Sequence, residues 1–279
     1  MLDHHRGIQV NGPETAEIED AVAVEDRFEL VLNNKPVTEM IASREMLREL
    51  GAGFVITEGL ARTVDTVRLD GDRILVTSDL GCETGAGRRV TGSSGGTSFL
   101  REQGQGSPGI PPPGALPGIP SPDPLSPGLR SADLRASGIR ITREEVISTT
   151  REIETEIWRR TGGVHCSVLV CEGRCLVKSS DLGRHNTVDK VVGYAALNGI
   201  ELSRCALGCT GRQPSGMVRK CANAGIPIII SRAATTDKGI ATAEAAGITL
   251  VSFSRGARFT VYTHPHRIAG LSGFRSAGS

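Results

Sequence analysis

Apolar positions in the second half of the chain form short β-branched runs separated by stretches of helical spacing. Ile226–Ile230 and Ile248–Phe253 have the density of strands covered on both faces. Between them Thr236 through Ala246 reads as a helix, with Thr236 as its cap, Ile240, Ala243 and Ala246 on one face, and Gly247 as its left-handed stop. A strand, helix and strand in that order form a β-α-β unit. Such a unit requires a right-handed crossover and a parallel sheet with helices packed on it.

The same reading extends upstream. Ile141-Thr142-Arg143-Glu144-Glu145-Val146 fits a capping box of Thr142 with Glu145 and a staple of Ile141 with Val146, opening a helix that runs to about Arg160 and closes at Gly162-Gly163. Val164–Cys171 and Cys175–Val177 alternate as a hairpin about Glu172-Gly173-Arg174, with Cys171 and Cys175 expected to face each other. Asp181–Asn186 is a polar loop, with Asn186 or a neighbour capping a helix that buries Val188, Val191, Val192 and Ala195 and ends at Gly199. Ala206–Cys209 is a third strand and Pro214–Ala224 a third helix.

The first half is patterned more weakly. Residues 1–26 carry seven acidic side chains and little periodicity, and are expected to be a loosely ordered lead-in. Residues 27–102 read as a smaller α/β module. It has a strand from Phe28, a helix capped by Ser43 and interrupted at Gly51-Ala52-Gly53, and a hairpin across Asp70-Gly71-Asp72. Residues 81–96 are a glycine-rich, exposed loop, which a plain flexible connector would also explain. Residues 103–128 hold nine of the fourteen prolines and form a linker. A second α/β domain spans 129–270, and 271–279 is a tail.

Composition narrows the function. No run approaches the roughly 18 apolar residues of a membrane span and the start is acidic, so a cytoplasmic protein is expected. Seven cysteines without a secretion signal suggest reduced thiols rather than a disulfide framework. A net charge of +1 and 3% aromatic content argue against nucleic-acid binding. Any anion site must therefore be local.

One such site is legible. The inferred strands end in Thr210-Gly211-Arg212, Ser231-Arg232, and Ser254-Arg255-Gly256-Ala257-Arg258. Strand ends on one side of an open α/β sheet are where ligands bind, and converging guanidiniums with hydroxyls hold phosphates by charge-assisted bonds. Arg184 is placed to join them. A single arginine ordinarily lies in solvent or pairs with a carboxylate, here Asp181, Asp189 or Asp237, but three at equivalent positions favour a polyphosphate nucleotide. No metal site is expected. His264 and His266 are only two residues apart, and the His-x-Glu and Pro-Cys-x-x-Cys ligands of a zinc deaminase are absent around His165.

The segments TGGVHCSVLV, SSDLGRHNTVDKVVG, GRQPSGMVRKCANAGIPIIISRAATT and AGITLVSFSRGARFTVYTHPHRI, with weaker similarity at GAGFVITEGL, resemble the FdhD family of formate dehydrogenase accessory sulfurtransferases. The resemblance covers 131–267 and patches of 28–100. It implies a three-layer α/β domain similar to cytidine deaminases and a homodimer. It also implies a sulfur carrier, which accepts persulfide sulfur from a cysteine desulfurase. The sulfur then passes to the molybdenum bis(molybdopterin guanine dinucleotide) cofactor destined for formate dehydrogenase. The family's cofactor-binding loop falls on Ser254, Arg255, Gly256, Ala257, Arg258 and Phe259, and the guanine dinucleotide agrees with a rim that includes Arg212, Ser231 and Arg232.

One position departs from that pattern. The family's persulfide cysteine follows a Thr-Gly or Ser-Gly step, and here Thr91-Gly92 leads to Ser93. A hydroxyl cannot carry a persulfide, which needs a polarisable thiolate. Cys82, in the same glycine-rich loop near Arg88 and Arg89, is a substitute, and Cys209 beside Arg212 is a weaker one. Serine at this position also fits a cofactor-binding chaperone for the guanine dinucleotide cofactor that transfers no sulfur.

Overall fold

The computed structural model describes residues 2–78, 89–91, 97–98 and 131–274. Most of the glycine-rich segment, including Cys82 and Ser93, and the 103–128 linker lie outside the described residues. The segment before Phe28, expected as irregular chain, is a hairpin. β1 (Leu2–Asn11) and β2 (Glu14–Ala23) pair antiparallel from Leu2↔Ala23 to Asn11↔Glu14. The two-residue loop Gly12-Pro13 joins them, with Gly12 supplying a positive φ of 59°. Asp3, Glu14, Glu17, Glu19 and Asp20, among the acidic side chains that suggested disorder, sit on solvent-facing strand positions.

β3 (Asp26–Leu32) and β4 (Lys35–Ala42) form the centre of a six-stranded sheet. β5 (Thr66–Asp70) and β6 (Arg73–Thr77) flank β3, and β7 (Arg89–Thr91) and β8 (Thr97–Ser98) flank β4, in the order β5-β6-β3-β4-β7-β8. α1 (Leu47–Thr57) packs on this sheet. It is not interrupted at its glycines, and Ser43 does not cap it; Met46, in the left-handed region, precedes its first turn. The glycines are there for contact. A Cβ on Gly53 would lie 1.7 Å from the Asp189 carbonyl oxygen, and one on Gly193 would lie 1.8 Å from that of Glu49. Side chains would hold the two helices apart, so the glycines set a crossing close enough to join the halves of the chain.

α2 (Ser131–Ala136) leads into α3 (Arg143–Glu152), and α4 (Glu156–Thr161) follows. The capping box forms as read: Thr142 Oγ1 accepts from the Glu145 amide at 3.1 Å and a Glu145 carboxylate oxygen accepts from the Thr142 amide at 2.6 Å. The single helix expected to reach Arg160 is two. Thr155 takes an extended conformation and accepts from the Trp158 amide, capping a new helix that Gly162 closes.

β9 (His165–Cys171) and β10 (Arg174–Asp181) form the expected hairpin. α5 (Arg184–Leu197), β11 (Cys205–Cys209), α6 (Ser215–Ala224), β12 (Ile228–Ser231), α7 (Asp237–Ala246), β13 (Thr249–Arg255) and β14 (Arg258–Thr263) complete a second sheet. Its order is β10-β9-β11-β12-β13-β14. The strands β11, β12 and β13 are parallel to one another, β9 pairs antiparallel with both β11 and β10, and β14 pairs antiparallel with β13, so the sheet is mixed rather than wholly parallel. α3 lies against β11, β12 and β13. Through α1, the hydrophobic core of this half is continuous with that of the first: Leu30, Leu50 and Ile74 belong to one cluster with Val188, Val191, Leu207 and Ile229.

The cysteines correct two expectations. Cys171 and Cys205 form a disulfide across β9 and β11, where the register sets them directly opposite with Cα atoms 4.4 Å apart. Cys175 is opposite Val170 and is free, because the tight turn places Arg174 against Cys171. Among the described residues no helix is long and apolar enough to cross a membrane.

Two buried ion pairs anchor the ends of α1. Ahead of it, the Ser43 amide and hydroxyl each donate to Asp181 at 3.0 Å, and Lys190 donates to the same carboxylate at 2.6 Å. At its end Lys220 reaches Asp189 at 2.9 Å, Glu58 at 2.6 Å and the Thr57 hydroxyl at 3.0 Å. Burial raises the Asp189 carboxyl, and the two carboxylates hold Lys220 above its ordinary value against its own burial.

Candidate anion-binding site

The C-terminal ends of β11, β12 and β13 lie together, and antiparallel pairing brings the start of β9 and the end of β10 to the same edge. That edge carries a cleft of about 430 Å³ whose wall includes Trp158, His165, Thr210, Arg232 and Arg255. The volume is within the range of about 300–1,000 Å³ usual for small-molecule sites.

Thr210 fixes one side of the cleft. Its hydroxyl lies 3.2 Å from His165 Nδ1 and accepts from the Cys166 amide at 3.0 Å. Next to it Gly211 admits the Arg184 side chain, since a Cβ there would meet Arg184 Cβ at 2.9 Å. Burial, together with the charges of Arg184 and Arg212, holds His165 below its ordinary value, so the imidazole is neutral at pH 7. Arg184 is itself held below its usual value by burial and by Arg212, and its buried Nε has no hydrogen-bond partner among the described residues.

On the opposite side Arg232 lies over the Trp158 ring, 5.0 Å from its centroid, and forms an ion pair with Glu154. Arg255 Nε donates to the Arg232 carbonyl at 3.3 Å. Burial and the Arg255 charge hold Arg232 below its ordinary value. Like charges crowded in this way favour an incoming anion.

Not every residue singled out in the sequence faces this space. Gly256, Ala257 and Arg258 are exposed at the turn between β13 and β14 and lie off the cleft wall, although Arg258 is paired across the hairpin with Arg255, which does line it. Phe259 leans partly onto the cluster of Ile141, Val146 and Ile228. Ser254 is fully buried and bonds Thr150 at 2.5 Å. Ser231 is also buried: its hydroxyl donates to the Gly211 carbonyl at 2.8 Å and accepts from the Ala233 amide at 3.0 Å, shaping the loops from behind. Cys209 is buried, accepts from Gln213 Nε2 at 2.9 Å, and has its thiol pushed up to about 12, chiefly by burial. Such a thiol is protonated and enclosed, which disfavours it as a nucleophile. Among the described residues no group of three or more His, Cys, Asp or Glu is placed to hold a metal ion.

Sequence reasoning missed the polar layer that surrounds His185. His185, one residue along α5 from Arg184, is mostly buried, and its Nδ1 has no partner among the described residues. Burial, with Lys220 and Arg184, lowers it to about 3, against the opposing pull of Glu58. Glu58 is held below the usual carboxylate range: its burial is outweighed by Lys220. The polar cluster Glu-Gly at the end of α1 and Arg-His at the start of α5 was the available signal. Its meaning depended on helices more than a hundred residues apart coming together.

A mixed α/β protein with an arginine-rich cleft at the ends of three parallel strands is the class these features define. Residues 23–269 match the sequence model of the FdhD/NarQ family, and the chain belongs to that family. It is 30% identical over 254 residues to protein FdhD of Methanocaldococcus jannaschii, spanning 91% of this chain and 92% of that one. It is also 30% identical over 263 residues to the sulfur carrier protein FdhD of Wolinella succinogenes, covering 91% and 84%. The crystal structure of a protein assigned as a formate dehydrogenase accessory protein, from Desulfotalea psychrophila, matches with a TM-score of 0.71 at 26% identity, over 96% of this chain and 99% of that one.

Proposed function

We propose that this protein is a cytoplasmic sulfur carrier for formate dehydrogenase maturation, and that its cleft seats the phosphates of the molybdenum bis(molybdopterin guanine dinucleotide) cofactor as cargo. Arg232 and Arg255 line the cleft and Arg184 and Arg212 act on its wall residue His165, and this gathering of positive charge carries the reading. Arginine forks bind phosphate bidentately, and the unpartnered Arg184 Nε fits a missing acceptor. The relatives' name, sulfur carrier protein, supports the sulfur half. A fold of the cytidine deaminase type and a homodimer belong to the same proposal.

In the transfer step, a carrier thiolate attacks the outer sulfur of a cysteine desulfurase persulfide, and the desulfurase thiolate leaves. The sulfur moves without net oxidation. Ser93 has no thiolate to offer, and Cys209 holds its proton too firmly, so Cys82 takes that role in the proposal. A second reading, a cofactor chaperone that transfers no sulfur, is favoured by the serine at position 93. Incubation with a desulfurase and cysteine, followed by mass spectrometry, separates the two. Addition of one sulfur atom at Cys82 supports the carrier, and an unmodified protein leaves only the chaperone.

A further inference from the structure

Of the four rim arginines, Arg232 alone is paired with a carboxylate among the described residues. Its partner, Glu154, belongs to neither helix: it sits in the break between the last residue of α3, Glu152, and the first of α4, Glu156. The break is held by its own backbone, with the Glu154 amide donating to Arg151 and the Thr155 amide to Ile153. Glu154 thus reaches the cleft-lining Arg232 from a non-helical position, with its side chain 30% exposed. Its second oxygen lies 4.0 Å from Arg159, which could receive it.

We infer that Glu154 is the specificity-determining residue of the cleft, a resident carboxylate on Arg232 that an incoming phosphate group must displace. The inference rests on the reading of the cleft as an anion seat. An arriving phosphate and the Glu154 carboxylate cannot share one guanidinium without like-charge repulsion. A single phosphate exchanges one anion for another and gains little. A guest with two linked phosphates loses the same contact but engages Arg255 and its neighbours as well, so it displaces the carboxylate. Glu154 therefore selects diphosphates over monophosphates, and in the empty protein it offsets the mutual repulsion of Arg232 and Arg255. Trp158 reports the exchange, because it is the only tryptophan in the chain and Arg232 rests on its ring.

The test uses the full chain and its Glu154→Gln variant, titrated with inorganic phosphate and with pyrophosphate at constant ionic strength. Trp158 fluorescence and calorimetry are followed in parallel. The wild type should bind pyrophosphate in strong preference to phosphate. The variant should bind phosphate about tenfold more tightly, as expected when one nearby like charge is removed, so that the preference narrows. Adding Arg232→Gln to Glu154→Gln should abolish that gain. Pyrophosphate binding by the wild type with both affinities unchanged or weakened in Glu154→Gln would overturn the inference and leave the anion seat standing. If neither ligand binds either protein, the anion seat fails and the inference falls with it. A variant that only melts at lower temperature, with unaltered affinities, makes Glu154 a helix-junction ion pair and also overturns the inference.

Discussion

Lys190 donates to Asp181 across 2.6 Å with both side chains fully buried, and the Ser43 hydroxyl completes the cluster by donating to the same carboxylate oxygen. Asp181 ends β10 and Lys190 lies in α5, while Ser43 precedes α1, so one carboxylate joins both halves of the chain. Replacing Lys190 by Met leaves a buried, unpaired carboxylate and should cost about 3–5 kcal/mol in urea unfolding. The double replacement with Asp181→Asn should recover part of that loss.

Close packing of α1 on α5 gives a second expectation. A methyl group at position 53 would meet the backbone of Asp189, which no side-chain rotation relieves. Gly53→Ala should therefore destabilise the protein by about 3 kcal/mol or more, the upper part of the range for overpacked cores. Denaturant midpoints would measure it.

His185 gives the fold a pH dependence whose sign follows from its burial. Its folded value is about 3 against an ordinary 6.5, so below pH 6.5 the unfolded chain binds the proton more readily. Stability attributable to His185 is fully present above that value and declines as the pH falls towards about 3. Replacing His185 by Gln should flatten the denaturation midpoint between pH 6.5 and 4.

Thiol chemistry should separate the cysteines. Burial raises the thiols of Cys209, Cys221 and Cys175, but Cys209 and Cys221 are enclosed whereas Cys175 is half-buried. Iodoacetamide under native conditions should label Cys175 well before Cys209 or Cys221, as peptide mapping would show. Rapid labelling of Cys209 would restore it as a sulfur-carrying candidate.

Much of the second half was readable because its signals are local. The Thr142–Glu145 box, the Thr236 cap and the β-branched runs of β12 and β13 depend on residues a few positions apart. The arginines at the strand ends followed from that topology. What escaped was long-range. Gly51 and Gly53 resemble a helix break until α5 is set against them, and Cys171 finds Cys205 through a register that neither strand encodes alone. Ser231 and Ser254 resemble ligand hydroxyls until their neighbours Gly211 and Thr150 occupy them. Glu154 was hidden because Thr155, an unremarked cap, splits the helix that carried it.

Calorimetric titration of GDP into the wild type, Arg212→Ala and Arg255→Ala tests the anion seat most directly. The wild type should give saturable binding that weakens as salt is raised. Each variant should bind about tenfold more weakly or not at all, the loss of one charge-assisted phosphate contact. Equal affinity in all three proteins, or no binding by the wild type, would contradict the account.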